Sequence, residues 1–337
     1  MLFDLGPRLL TTRDVARVVK DSGPEGLTEA ERRADAARYQ EILCRSALNR
    51  VKGMPFEWTL NPYRGCTHAC HYCFARRYQT QLELGAGDDF SSLIFVKLNF
   101  VDILRRELDH PNWTRELAAL GTATDPYQPI EGQYRLTRGT LTVLAAGRSP
   151  VGLLTKGPMV VRDIDVLQDL MAKTRGSSVC VSVPTVDEEA WRTLEPGTAA
   201  PLQRLRAVRK MVDSGLEAGV LMAPLVPGFS THPAKIEATI KAIADHGACF
   251  VGANILFLDG GTRDHFMRFL SDAFPALTGQ YDQLYASKYV PKDYADRVKR
   301  TVGLLKARYR LTPRKRRGEE PTAPVAEAAA PAQPSLW

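Results

Sequence analysis

Asn61-Pro62-Tyr63-Arg64-Gly65-Cys66-Thr67-His68-Ala69-Cys70-His71-Tyr72-Cys73-Phe74 holds Cys66, Cys70 and Cys73 in the spacing Cys-x3-Cys-x2-Cys. One compact loop with that spacing can aim three thiolates at one corner of a metal cluster. Iron–sulfur clusters are held by cysteine thiolates, and a [4Fe–4S] cube ordinarily takes four. Three close ligands with no evident fourth would leave one iron open, and an open metal position is where chemistry can happen. Gly65 allows a tight backbone where the chain enters the loop. The run from Phe74 to Tyr78 reads as a helix starting directly after it.

Other readings of the loop are available. Free cysteines are often buried apolar residues, but three in eight positions argue against that. A disulfide with one spare thiol fits poorly, because nothing points to secretion. A Cys3His zinc knuckle using His68 or His71 is the serious rival, since zinc favours four tight nitrogen and sulfur ligands. A zinc ribbon would also want a second cysteine pair nearby.

The 337 residues suffice for one large domain or two small ones, and 44% of them are hydrophobic, enough for a sizeable core. Net charge is +7, from 45 basic and 38 acidic residues. That permits a nucleic acid partner without demanding one. Met1-Leu2-Phe3-Asp4 has no basic start leading into an apolar run, so no signal peptide is expected. The longest uncharged stretch, 218–234, is broken by Pro224, Pro227, Gly228 and Pro233 and cannot span a membrane. Six cysteines, three of them clustered, suit a reducing cytosol, and a cytoplasmic location is expected. A helix is expected near 28–45, with Thr28 and Glu31 as its capping box. Residues 313–337, Pro/Ala-rich after Arg314-Lys315-Arg316-Arg317, read as a disordered tail.

Between the ends, strand-like and helix-like segments alternate. Apolar or β-branched runs fall at 57–60, 93–98, 117–120, 151–155, 179–183, 219–225 and 253–258. Helical stretches fall at 100–109, 137–146, 163–173, 202–214, 233–245 and 262–274. In the third of these, Ile164, Leu167, Leu170 and Met171 form one apolar face. The alternation predicts an α/β fold, a parallel sheet covered by helices. Strands that are apolar throughout fit burial on both faces. An open twisted sheet and a full or partial barrel both satisfy the pattern.

In parallel β/α folds, functional residues gather at the C-terminal ends of strands. After the run 117–120 comes the polar string Gly121-Thr122-Ala123-Thr124-Asp125-Pro126-Tyr127-Gln128-Pro129-Ile130-Glu131. It reads as a ligand-facing strand end or as a plain turn. Lys156 follows the run 151–155 and could pair with a carboxylate. Ser182 interrupts the apolar run 179–183, to bind a ligand or its own backbone.

The motif Cys-x3-Cys-x-aromatic-Cys, with Tyr72 as the aromatic, resembles the signature of the radical SAM superfamily. The resemblance implies a partial (β/α)6 TIM-type barrel over 55–312. A short, partly helical N-terminal extension over 1–54 would precede it, and the tail over 313–337 would follow. It further implies a [4Fe–4S] cluster on Cys66, Cys70 and Cys73, with S-adenosylmethionine on the open iron. Reduction would release a 5′-deoxyadenosyl radical, and Tyr72 would lie near the adenine. A low-potential electron donor of flavodoxin or ferredoxin type is implied as partner.

A second layer of resemblance rests on Asn61-Pro62-Tyr63-Arg64-Gly65-Cys66, the Gly121–Glu131 string, Thr155-Lys156 with Arg162-Asp163-Ile164-Asp165, and Leu194-Glu195-Pro196. Together these resemble the actinobacterial, DNA-repair-photolyase-like branch related to spore photoproduct lyase, over about 55–311. By position, Thr124 and Asp125 would meet the methionine amino group, Lys156 its carboxylate, and Ser182 the ribose side. The lyase family carries a hydrogen-donating cysteine where Thr122 stands here, and a threonine hydroxyl is a far poorer hydrogen-atom donor. Cys180 and Cys249 lie in apolar runs and read as core. The expected function is a radical SAM enzyme abstracting hydrogen from a substrate, with nucleic acid leading. Lys299, Arg300, Lys306, Arg308 and Arg310 on the last helix add positive charge to that reading. Modification of a protein or small metabolite is the alternative. A non-catalytic zinc or Fe–S module binding nucleic acid is the rival from another class.

Overall fold

The computed structural model describes residues 10–22 and 37–311. Eleven strands lie among them: β1 (Leu10–Thr11), β2 (Arg38–Leu43), β3 (Leu48–Arg50), β4 (Trp58–Leu60), β5 (Tyr63–Arg64), β6 (Leu93–Lys97), β7 (Ala118–Leu120), β8 (Val151–Thr155), β9 (Ser178–Ser182), β10 (Ala218–Leu225) and β11 (Val251–Ile255). Seven form the main sheet, in the order β11-β10-β9-β8-β7-β4-β3. From β4 to β11 every neighbouring pair is parallel; β3 caps one edge antiparallel to β4. The sheet does not close on itself, since β3 and β11 are its two edges. Six parallel strands, most of them joined by crossover helices, form the expected partial (β/α)6 barrel.

Burial on both faces explains the apolar strands. Leu120, Leu153, Val181 and Val220 are wholly buried against Leu144, Leu167, Leu205 and Ile240 from the covering helices. Those helices are Leu136–Ala146, Ile164–Lys173, Pro201–Asp213 and Pro233–Asp245. Fully burying one such side chain stabilises the fold by about 1.5–3 kcal/mol, before conformational entropy is set against it. Of the expected face of Ile164–Lys173, Leu167 and Leu170 are buried, while Ile164 and Met171 pack at its margin.

The remaining strands form a second sheet, in the order β1-β2-β6-β5. The run expected at 93–98 is therefore a strand, but of this smaller sheet. A further correction falls on the helix expected near 28–45. The residues from Arg38 to Leu43 are strand β2, paired in parallel with β6 from Arg38↔Leu93 to Ile42↔Lys97. Tyr39 and Ile42 are buried, and tertiary pairing of this kind overrides local helix propensity. Thr28, Glu31 and the tail over 313–337 lie outside the described residues. The helix that does occur near the N-terminus is Thr12–Ser22. Val15 on that helix, Ile42, Leu82 and Phe95 make a separate small core beside the cysteine loop.

The last helix spans Lys292–Arg308, so Arg310 lies just past it, with φ at +57°. Among the described residues no helix is long and apolar enough to cross a membrane. Because β4 and β7 to β11 run the same way, their C-terminal ends share one rim. The cysteine loop follows β4 and β5 there, Thr124 and Asp125 follow β7, Lys156 follows β8, and Ser182 ends β9.

Candidate active site

Around that rim the chain leaves a cavity of about 160 Å³. Cys66, Cys70, Cys73, Tyr72, Thr124, Asp125, Lys156 and Ser182 all border it. Every residue singled out by sequence for the site thus reaches one space.

The loop is held from several sides. Gly65 has φ +80°, and a Cβ there would lie 2.6 Å from the Leu93 carbonyl oxygen. Only glycine lets the loop press this closely on β6. The Cys66 N–H donates to Phe90 O at 2.8 Å. Arg76 is fully buried beneath the loop and donates to the carbonyls of Cys70 (3.0 Å), Ala69 (2.8 Å), Ala86 (3.0 Å) and Gly87 (2.8 Å). From the opposite side, the Gly197 N–H donates to His68 O at 3.1 Å, and a Cβ on Gly197 would lie 2.2 Å from Thr67 O.

Thr124 and Asp125 brace this framework. The Thr124 hydroxyl donates to Gly65 O at 2.6 Å and accepts from Gln128 Nε2 at 2.9 Å. Asp125 Oδ1 accepts from the Thr155 hydroxyl (2.6 Å) and the Tyr127 N–H (2.8 Å), and Oδ2 accepts from the Lys156 N–H (2.6 Å). His68 Nδ1 stands 3.4 Å from Oδ2. Burial alone would raise the Asp125 carboxyl, but the His68 charge and these hydrogen bonds outweigh it and hold its pKa at about 2.

Lys156 projects into the cavity. Its Nζ donates to the Ser182 hydroxyl at 3.0 Å, stands 3.8 Å from Glu195 Oε1, and lies 5.7 Å from the centre of the Tyr72 ring. Burial opposes its charge, but Cys70 and Glu195 more than offset this, so its pKa is raised. Sequence reasoning missed Glu195 as a site residue. It is buried, accepts from the Tyr72 hydroxyl, and pairs with the fully buried Arg204 at 2.5 Å. Burial raises the Glu195 carboxyl, yet Arg204 and Lys156 bring it below its ordinary value. Arg204 also donates to Ser182 O at 3.0 Å, which ties the end of β9 to the same carboxylate. The signal was present in Leu194-Glu195-Pro196, but nothing local told that this glutamate faces inward.

The other sequence candidates separate. Thr122 borders the cavity at its mouth. Cys180 is buried in β9, with burial raising its pKa to about 12, and it borders neither this cavity nor the adjoining cleft. Cys249 borders neither as well, and it is half-buried and outside the apolar core, so the expectation that it is a core residue is corrected. Arg162 and Asp163 belong to a buried ion network with Glu131 and Arg138, away from the cavity.

None of the six cysteines forms a disulfide. Cys66, Cys70 and Cys73 are close enough to feel one another's charge; burial raises the Cys70 pKa most, Lys156 opposes it, and Glu195 and then the neighbouring thiolates add to the rise. The Cys70 and Cys73 thiols, both driven up chiefly by burial, fit a cationic iron–sulfur group that would hold them deprotonated. Among the described residues, no three His, Cys, Asp or Glu side chains are gathered tightly enough to hold a single metal ion. His71 is stacked on Phe269 at 4.0 Å, with Nδ1 3.3 Å from His265 Nε2, and so faces away from the thiols. The Thr67 hydroxyl, in the same loop, is buried without a hydrogen-bond partner among the described residues. His68 meets Cys66, but its Nδ1 is engaged by Asp125 at 3.4 Å; the three thiols of the loop are the donors that suit an iron–sulfur cluster.

The cavity opens into a cleft of about 930 Å³, with Met54, Phe74, Thr122, Asn254 and Phe257 bordering both. The cleft occupies the unclosed side of the barrel, between the β3 edge and β11 with the last helix. Among the described residues, seven basic side chains border it against one carboxylate, Asp259. Lys299 and Lys306 are among them, whereas Arg300 and Arg308 are not, and Arg308 pairs with Glu237 at 2.7 Å.

Six parallel strands carrying a three-thiol loop after the first, with Asp125, Lys156 and Ser182 at the ends of the next three, define a partial-barrel α/β protein built around a cysteine-held centre. The chain belongs to the radical SAM superfamily, whose family model matches residues 60–243. The cofactors are those of the superfamily, a [4Fe–4S] cluster and S-adenosylmethionine. An uncharacterized protein of Mycobacterium tuberculosis is 39% identical over 308 residues, covering 90% of this chain and 89% of that protein. An uncharacterized protein of Methanocaldococcus jannaschii is 25% identical over 187 residues, covering 56% of this chain and 67% of its own length. Among solved structures, a spore photoproduct lyase mutant with bound AdoMet and dinucleoside spore photoproduct superposes with a TM-score of 0.64 at 14% identity, over 88% of this chain and 91% of that one. At that identity the likeness is one of fold.

Proposed function

We propose that this protein is a radical SAM enzyme that abstracts hydrogen from a nucleic acid strand held in the basic cleft. The supporting observation is the continuity of the three-thiol cavity with a cleft bordered, among the described residues, by seven cations and one carboxylate. A reacting group lying at Thr122 would touch both spaces. In this reading Cys66, Cys70 and Cys73 hold the cluster. Lys156, kept charged by Glu195, faces the carboxylate of S-adenosylmethionine; Ser182 faces the ribose, and Tyr72 the adenine. Thr124 and Asp125 act mainly by fixing Gly65 and the Lys156 backbone, which sets the distance between loop and strand ends. The cofactors supply one electron and, from S-adenosylmethionine, a 5′-deoxyadenosyl radical that takes hydrogen.

Thr122 stands at the mouth, and its strong O–H bond makes it a poor donor for returning hydrogen. The proposed reaction is accordingly lyase-like or repair-like in its first step, without a thiol at this position to close it. The free cysteines agree with a reducing cytoplasm, where a flavodoxin or ferredoxin would supply the electron.

The test is 5′-deoxyadenosine production by reconstituted protein, with single-stranded DNA, RNA or a peptide library added. Stimulation by nucleic acid supports the proposal. Stimulation by peptides alone, or the absence of salt-dependent binding to DNA and RNA in a filter assay, removes it.

A further inference from the structure

Lys97 and Arg64 stand out among the cations of the cleft. Both border it, on the wall made by the paired strands β5 and β6. Both are half-buried, and among the described residues neither meets a carboxylate. Lys97 Nζ donates once, to Asn61 O at 2.7 Å, and lies 5.6 Å from the centre of the Phe100 ring. Arg64 donates to the Tyr78 carbonyl and to the amide oxygens of Gln79 (3.2 Å) and Gln81 (3.4 Å). Burial pushes the Lys97 pKa down, Cys44 opposes this, and Arg64 is near enough to add to the depression, which leaves it at about 8.

Buried charges in folded proteins are ordinarily paired. The contrast within this chain is direct, because Arg204 meets Glu195, and Arg162 meets Glu131 and Asp163. Two neighbouring cations without a carboxylate, in a cleft open to solvent, cost stability unless an anion joins them. Nε and Nη2 of Arg64 serve Gln79, Tyr78 and Gln81, which leaves its Nη1 group for an anion; beside the point charge of Lys97, that suits phosphate oxygens.

We propose that Lys97 and Arg64 form a phosphate-binding subsite that takes a backbone phosphate of the substrate strand next to the reacting nucleotide. Asn61 links the subsite to the mouth, since its carbonyl accepts from Lys97 and its Oδ1 accepts from the Ala123 N–H at 2.8 Å, one residue past Thr122. The subsite rests on the nucleic acid reading only for the source of the phosphate.

The experiment uses the reconstituted full-length protein, a short single-stranded DNA oligonucleotide, and inorganic phosphate. Lys97→Met should weaken oligonucleotide binding about tenfold and lower the slope of log affinity against log salt by about 0.7, the share of one phosphate contact on a single strand. Lys97→Arg should keep the slope. Arg64→Gln should repeat the loss and serves if Lys97→Met loads no cluster. Unchanged affinity and slope in Lys97→Met and Arg64→Gln, with cluster content and melting temperature retained, would overturn the subsite. An equal loss in a well-folded Lys97→Arg would also overturn it, since charge would then not matter. If the oligonucleotide fails to bind, but phosphate raises the melting temperature of the wild type and not of Lys97→Met, the subsite stands and the nucleic acid reading falls.

Discussion

Replacing Glu195 by Gln keeps the side-chain volume and removes one charge from the centre of the site. In the wild type that charge pairs with Arg204 at 2.5 Å and with Lys156 at 3.8 Å. At an effective dielectric of about 20, the Arg204 contact alone is worth roughly 6 kcal/mol of Coulomb energy. Much of this offsets the desolvation of two buried ions. Breaking buried pairs by removing one partner costs about 3–5 kcal/mol. Gln still offers Arg204 an oxygen, so the low end, about 3 kcal/mol, is expected. With an unfolding entropy near 2.1 cal/mol/K per residue, that lowers the melting temperature by roughly 4 °C for a chain of this size. The pH dependence follows from the lowered Glu195 pKa. Its stabilisation is fully present above the unfolded carboxyl value of about 4.3. It is lost as pH falls through the lower folded value. The gap between wild type and Glu195→Gln should therefore be full at neutral pH and shrink below about pH 4. The assay is thermal unfolding followed by circular dichroism across pH. A melting temperature within about 1 °C of wild type at pH 7 would refute the view that this carboxylate holds the two cations.

Gly65→Ala should displace the cysteine loop, because its Cβ would sit 2.6 Å from Leu93 O at a φ of +80°. Iron bound after reconstitution should fall severalfold, and wild-type iron content would contradict this. Lys156→Ala should weaken S-adenosylmethionine binding about tenfold or more by equilibrium dialysis while leaving the cluster absorbance intact. Unchanged affinity would refute its place opposite the carboxylate. Asp125→Asn removes the charge that faces His68 and the acceptor for the Lys156 N–H. It should destabilise the apo-protein by about 2 kcal/mol, read as a lower urea midpoint, and an unchanged midpoint would show that Asp125 does not brace the rim.

The parts of the fold legible in sequence were those carried by periodicity. The apolar strands at 151–155 and 219–225 are buried on both faces and depend little on context, so they fall close to where the pattern puts them. Arg38–Leu43 was not legible, because its strand state comes from pairing with β6, where Arg38 meets Leu93. The cysteines were legible because their spacing is local. Lys156 and Ser182 were legible through the rule of strand ends. Glu195 was not, since its inward aim is shared between Arg204 on the following helix and Tyr72, far back in the cysteine loop. The pairing of Lys97 with Arg64 was hidden for the same reason, as β5 meets β6 only in three dimensions.

The central claim, a cluster on Cys66, Cys70 and Cys73 that acts on S-adenosylmethionine, is met most directly by anaerobic reconstitution of wild type and Cys70→Ala, followed by dithionite, S-adenosylmethionine and assay for 5′-deoxyadenosine. The account predicts about four iron and four sulfide per wild-type chain, 5′-deoxyadenosine as product, and loss of both in Cys70→Ala. A colourless wild type holding about one zinc and making no 5′-deoxyadenosine would contradict it, as would a Cys70→Ala protein that keeps its iron and sulfide.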